Sequence, residues 1–497
     1  MALINSTENK LTFGIVVGFF ATCFGLITFV NHYLFRTYAL DLGLYTHTIY
    51  DYSHFRVNDS LLIQPMSAAR NQLADHFDLF LILISPLIWI FGSYTLLIVQ
   101  WIAILIGGLG IYFIFNKQGH YFALFATIQF FCIWGIYSAL SFDYHSNVVG
   151  AMIIPWVFWA LKNNNLRVLI VTTVLIIITK ENMSLWLFFV FTGAASMSYF
   201  SASMRKISLV LATFCIFYFL FVIKVIMPAL MPDGQAYLHL SFAQVGNGIS
   251  DIIINTIRNP IKVLKLIYQS PYEEAYTWPI KKELHTFVFL SGGALILLRP
   301  AYFWMLIPIY AQKLLNDDVA KWGINSQYSI EYVPILCIGA FHVLSKIKFP
   351  VEKYILAIAL IVITARQTYK SFEFRHSVWF DNTYVHIFDK KHYTTSRLDV
   401  ARTHRILKSI PEQYSVGTSA DLVPHLAMRK TIYTYLYWDN MDVIIVPHIL
   451  ETYYPHQKHD YLNTVQNLRL NEQYKILYKN DDIIVFCKQE ISFTIND

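Results

Sequence analysis

Residues 10–47 read KLTFGIVVGFFATCFGLITFVNHYLFRTYALDLGLYTH. After one lysine, the apolar run from Leu11 to Val30 makes a helix about 30 Å long, the thickness of the hydrocarbon layer of a bilayer. No small-x-small cleavage site follows cleanly, so the run reads as an uncleaved signal anchor rather than a removed leader. Ten residues beyond this span sits Asp41, between Ala39-Leu40 and Leu42-Gly43-Leu44, with Tyr45 and His47 close behind. An acid in so apolar a setting is costly unless it has work to do.

The rest of the chain extends this pattern. Of 497 residues 56% are hydrophobic and only 14% charged, with a mean hydropathy of +0.45. An ordinary soluble chain carries about 25% charged residues. There is too little polar surface here for a water-facing sphere, which excludes disorder, a coiled coil and most soluble enzymes. A net charge of +6 suits basic cytoplasmic loops and does not form the concentrated face that nucleic acid requires. The five cysteines are scattered without a C-x-x-C pair, so neither a zinc site nor a disulfide framework is indicated.

Hydropathy places about eleven spans, near 11–31, 94–115, 121–140, 148–161, 167–180, 183–200, 207–230, 285–298, 301–315, 329–345 and 352–365. Leu79–Phe91, short and interrupted by Pro86, reads as a helix lying in the interface. With the N-terminus inside, the short inner connectors hold Lys117, Lys162, Arg167, Arg205, Lys206, Arg299, Lys346, Lys348 and Lys353, as the positive-inside rule asks. Loops 32–78 and 231–284 then lie outside the cell, as does everything after about residue 365. The expected fold is an all-α polytopic membrane protein (residues 1–365) with a small C-terminal α/β extracytoplasmic domain (366–497). In the latter, 414–420 and 441–447 read as buried strands, 421–428 and 456–470 as helices, and YKILYK with IIVFCK as a hairpin.

Five polar clusters fall at outer span ends: Asp41; Asp75, His76 and Asp78; Asp143 and His145; Lys180 and Glu181; and Gln327, Tyr328 and Glu331. Each has a plain structural alternative. Asp75 before an apolar run suits a helix cap, Asp143 and His145 a solvated loop, Lys180–Glu181 an interfacial ion pair, and Gln327–Tyr328 an aromatic belt. Together they describe one polar cavity at the membrane surface. Carboxylates there can take a proton from a hydroxyl, lysine can hold a phosphate, and aromatic faces can pack on sugar C–H surfaces. Asp75, His76 and Asp143 are the groups that would hold a hard divalent cation, but their spacing is not diagnostic, so no metal site is assigned. No D-x-D, H-E-x-x-H or P-loop motif is present.

The segments LDLGLYTHTIYD (40–51), ADHFDLFLILISPLIWIFGSYTLLIVQ (74–100), FDYHSN (142–147), TKEN (179–182), QYSIEYVPILCIGA (327–340) and SADLVPHLAMRKTIY (419–433) occur in an order that resembles the prokaryotic membrane family called domain of unknown function 2079. The likeness runs from about Tyr38 to Cys487; Asn182 departs from it where an acid would be expected. That family is similar in architecture to the GT-C glycosyltransferases. The resemblance implies transfer of a sugar from a polyprenyl-phosphate donor to an acceptor (glycan, lipid or protein) at the outer membrane surface. It makes Asp41 the general base, Lys180 and Arg70 the donor-phosphate ligands, and Asp75, His76, Asp143, His145, Glu181, Gln327 and Tyr328 the cavity lining. The rival readings are a transporter or lipid flippase, which predicts charges at mid-span and repeat symmetry, and a non-catalytic sugar-binding scaffold, which predicts Asp41 turned into a helix cap.

Overall fold

The computed structural model describes residues 7–57, 71–231, 241–269, 274–434, 440–450, 453 and 457–497. Most of these residues are helical. Among them, four helices are long and apolar enough to cross a bilayer: Thr7–Tyr33, the helical run Phe80–Gln118, Ala202–Leu230 and Pro350–Glu373. The pair His120–Cys132 and Trp134–Leu140, bent by 47°, makes a fifth if counted as one span. The expected eleven spans are therefore not all present at full length. Apolar runs at 146–162 and 166–177 form helices too short for a straight crossing, and 181–196, 300–314 and 332–344 are likewise brief. The run expected as 285–298 is interrupted at Phe289–Gly293, where Gly292 takes φ 123° and breaks the helix. Hydropathy counts apolar residues and is blind to such breaks, which is why the sequence overcounts.

Leu79–Phe91 forms short helical turns continuous with the helix Thr95–Phe115. Ile82, Leu83, Trp89 and Ile90 on it are exposed. The helices Thr95–Phe115 and Ser146–Lys162 pack closely because Gly110 faces Pro155; a Cβ at Gly110 would lie 2.8 Å from the proline Cβ. Small residues at such crossings let backbones approach where no hydrophobic force separates helix from lipid. The main buried cluster runs through Phe24, Phe130, Phe131, Trp134, Val157, Tyr302 and Tyr332.

Towards the C-terminus a five-stranded sheet forms, in the order β2-β1-β3-β5-β4. Its strands are β1 (Val416–Thr418), β2 (Ile432–Thr434), β3 (Val443–Pro447), β4 (Tyr474–Lys479) and β5 (Ile483–Lys488). β1 is parallel to β2 and β3, and β5 runs antiparallel to β3 and β4. β1 and β3 are buried along their whole length, as strands covered on both faces must be. The helix Lys458–Leu470 covers one face. The other packs on Ile406, Leu407 and, from the chain just after the first helix, Phe35, Ala39 and Leu44. Buried Arg36 reinforces this junction by donating to the carbonyls of Thr383, His392 and Thr395. The segment carrying Asp41 is thus wedged between helices and sheet.

Candidate functional site

Asp41 lies in a single π-helical turn, Ala39–Gly43, leading straight into the helix Leu44–Ser53. The extra residue in such a turn re-aims side chains, a device frequent at functional sites. Gly43 is required by packing: a Cβ there would stand 2.7 Å from Val423 Cγ1 and 3.6 Å from the nitrogen of Pro424. The V-P-H-L turn (Val423–Leu426) therefore presses directly on the turn that carries the acid. Beside it, His47 Nδ1 lies 3.3 Å from the carbonyl of Ala427.

His145 Nε2 sits 2.9 Å from Asp41 Oδ1. The imidazole is buried, whereas the Asp41 side chain keeps 27% of its exposure, so the carboxylate has one shoulder held and the other open. His145 stacks on Phe142, its ring centroid 5.4 Å away, and its backbone N–H donates to Gln100. Asp143 is fully enclosed, accepting the N–H of Tyr38 at 2.9 Å. Burial pushes its pKa well above the carboxylate range, and the nearby Asp41 charge adds to that.

The second cluster joins the same place. Asp78 is buried, accepts a hydrogen bond from Ser146 Oγ and caps the following turn through the N–H of Leu81 at 3.3 Å. Burial raises its pKa to about 8, against the lowering pull of Ser146, Leu81 and the Lys180 ammonium. Asp75 ends a one-turn helix, Gln72–Asp75, capped by Asn71, so the capping role weighed for Asp75 belongs to Asp78. Buried Glu181 accepts from the N–H of Phe77 at 3.1 Å and lies 3.3 Å from His76 Nδ1. Four of these acids act on one buried phenol: the Tyr45 pKa is driven up first by burial, then by the charges of Asp41, Asp78, Asp75 and Glu181. Tyr45 thus lies within electrostatic reach of acids from three segments far apart in sequence, its ring 6.2 Å from that of His145.

The cationic side lies around Lys180 and Tyr328. Lys180, half-buried, precedes the helix Glu181–Ser196 and lies within electrostatic reach of Asp78, Lys321 and Glu331. Glu331 accepts from Asn147 Nδ2 at 2.9 Å. The ammonium groups of Lys313 and Lys321 stand 5.8 and 5.9 Å from the Tyr328 ring centroid, within cation–π range. Lys313 is buried and its Nζ has no hydrogen-bond partner among the described residues. Gln327 is buried beside Tyr328, its Oε1 also without a partner.

Most of the expected lining residues thus stand in one connected region; Arg70 lies outside the described residues. Asp75, His76 and Asp143 form no ligand set, because His76 faces Glu181 and Asp143 holds the Tyr38 amide. Among the described residues, no group of three or more His, Cys, Asp or Glu side chains is placed to hold a metal ion. Sequence reading missed Lys313, Lys321, Tyr45, Ser146 and Asn147 as site groups. Lys313 alone carried a signal, as an ammonium ending an apolar helix three residues after Tyr310.

The family model described as "Predicted membrane protein (DUF2079)" matches residues 31–485. No curated protein matches the chain. Among solved structures, ArnT from Cupriavidus metallidurans bound to undecaprenyl phosphate aligns over 95% of this chain and 98% of its own, with TM-score 0.52 and 11% identity. The apo form of the same protein aligns over 97% and 98%, with TM-score 0.53 and 10% identity. At that identity the likeness is one of fold alone: a mostly helical, multi-pass membrane architecture.

Proposed function

The chain belongs to the DUF2079 family of predicted membrane proteins, and from that premise we propose that it is an integral-membrane glycosyltransferase. It moves a sugar from a polyprenyl-phosphate donor to a hydroxyl acceptor at the extracytoplasmic face of the inner membrane. The N-terminus lies in the cytoplasm, residues 1–365 form the membrane part and 366–497 the external unit. The fold shared with a protein crystallised on undecaprenyl phosphate supports this donor class.

One observation carries the reading: the Asp41 carboxylate is steadied at 2.9 Å by a buried histidine and keeps part of its surface exposed. Asp41 takes the acceptor hydroxyl proton as the acceptor oxygen bonds to the anomeric carbon. The bond from that carbon to the phosphate oxygen breaks, its electron pair leaving with the polyprenyl phosphate. His145 orients the base, while Lys180, Lys313 and Lys321, with Arg70, neutralise the departing phosphate. The leaving group is already an anion-stabilised oxygen, so positioning and electrostatics do most of the work. A scaffold reading would have Asp41 turned into a helix cap; its partner is instead His145.

The test is purified protein with labelled polyprenyl-phosphate sugars, read for donor consumption. Asp41→Asn should fold normally and lose turnover by about 10²–10⁴-fold, the usual contribution of a general base. Undiminished turnover would remove Asp41 from the mechanism.

A further inference from the structure

The helices Ile249–Arg258 and Pro260–Tyr268 lie between the apolar run Ala202–Leu230 and the helix Glu274–Val288. Their inner side packs Ile252, Val263, Leu266 and Ile267 against Val245 and Leu315. Their outer side is just as apolar and stands exposed: Ile253 is 54% exposed, Ile257 74%, Ile261 69% and Leu264 58%. At 100° per residue, Ile261, Leu264 and Tyr268 fall within an arc of about 60°, and Lys265 and Lys262 flank one edge of it. Arg258 takes the corresponding edge on the first helix. The pair thus offers three exposed cations against one exposed acid, Asp251, beside a continuous apolar stripe.

The pair is anchored to the neighbouring helices. Buried Lys281 donates to the carbonyls of Leu266 and Gln269 and to that of Leu314 at 3.1 Å, tying the end of the second helix to Pro300–Leu314. His285 lies 3.2 Å from the carbonyl of Ile267 and stacks on Tyr268, centroids 4.8 Å apart. Tyr268 in turn borders the exposed side chains Phe289, Leu297 and Phe303 across a cavity of about 450 Å³. Through Tyr268 the stripe therefore borders a further exposed apolar surface, with the cations along one edge of it.

We propose that this helix pair lies in the bilayer interface and binds anionic phospholipid headgroups through Arg258, Lys262 and Lys265, its isoleucine stripe entering the acyl layer. An amphipathic helix with basic flanks binds by apolar burial plus attraction to anionic lipid. The assignment goes beyond the transferase reading and is independent of it.

The described native cysteines are all buried, so a nitroxide can be placed on the full chain at Ile257→Cys or, as control, at Asp251→Cys. The protein is reconstituted in phosphatidylcholine vesicles with or without phosphatidylglycerol. The label at position 257 should be accessible to oxygen and shielded from a water-soluble nickel chelate, and the label at 251 the reverse. Retention of phosphatidylglycerol by the purified protein should fall about fivefold for each charge removed in Arg258→Gln, Lys262→Gln and Lys265→Gln. A label at 257 that meets the nickel chelate, or one that meets neither probe because another protein covers it, overturns the proposal. So does unchanged phosphatidylglycerol retention in the triple variant.

Discussion

Gly43→Ala is the sharpest test of how the site is held. Gly43 has φ −62° and ψ −49°, ordinary right-handed helix, so alanine meets no backbone strain. By helix preference alone the substitution would gain about 1 kcal/mol. Against this stands Val423, fully buried, whose Cγ1 would be 2.7 Å from the new methyl. A β-branched side chain in a closed pocket has no rotamer to escape into, and such overpacking costs about 1–3 kcal/mol. The expected net effect is a loss of about 1 kcal/mol. Val423→Ala alone deletes two methyl-sized groups and should cost about 2 kcal/mol through lost burial and the cavity left behind. In the Val423→Ala background the clash is gone, so Gly43→Ala should now stabilise by about 1 kcal/mol, a coupling of about 2 kcal/mol. Apparent unfolding midpoints of the four proteins in one detergent measure this. If Gly43→Ala shifts the midpoint by the same amount and sign in both backgrounds, the contact between the acid-bearing turn and the V-P-H-L segment is not what holds Asp41.

Two further outcomes follow from the buried charges. The Asp78 carboxyl titrates near 8 when folded, against 3.8 in the free group. Between about pH 4 and 8 the folded form holds a proton that the unfolded form has lost, so stability from this residue falls as pH rises through that window. Asp78→Asn should flatten this slope, seen as a smaller difference between midpoints at pH 5 and pH 8; an identical slope would refute the assignment. Lys313→Met removes a buried ammonium with no hydrogen-bond partner among the described residues, so thermal stability should hold or rise. Its apparent KM for a polyprenyl-phosphate sugar should nevertheless rise at least several-fold; unchanged KM would remove Lys313 from the phosphate site.

The membrane class was legible because scarce charge and long apolar runs have no other physical outlet, and the order of the polar segments pointed to the family. The C-terminal sheet was half legible: β1, β3 and the β4–β5 hairpin fall within the stretches read as strands. Strand β2, three residues long, went unread because so short a stretch carries little hydrophobic period; the helix Val400–Lys408 went unread although its buried Thr403, Ile406 and Leu407 share one face. Helix lengths were misjudged where a glycine stops a run that hydropathy continues, as at Gly292, whereas the break at Thr179–Lys180 was read.

The site divides along the same line. That Asp41, Asp143, His145, Lys180 and Glu181 were worth singling out could be read from the chain, since an ionisable group beside lipid carries a cost visible in composition. Which of them meet could not, because pairing depends on how loops a hundred residues apart fold back. Asp41 finds His145, Glu181 finds His76, and Tyr45, noted in the sequence only as a neighbour of Asp41, comes within electrostatic reach of acids from three segments. Linear order records what each residue costs to bury; the fold alone sets which partner repays that cost.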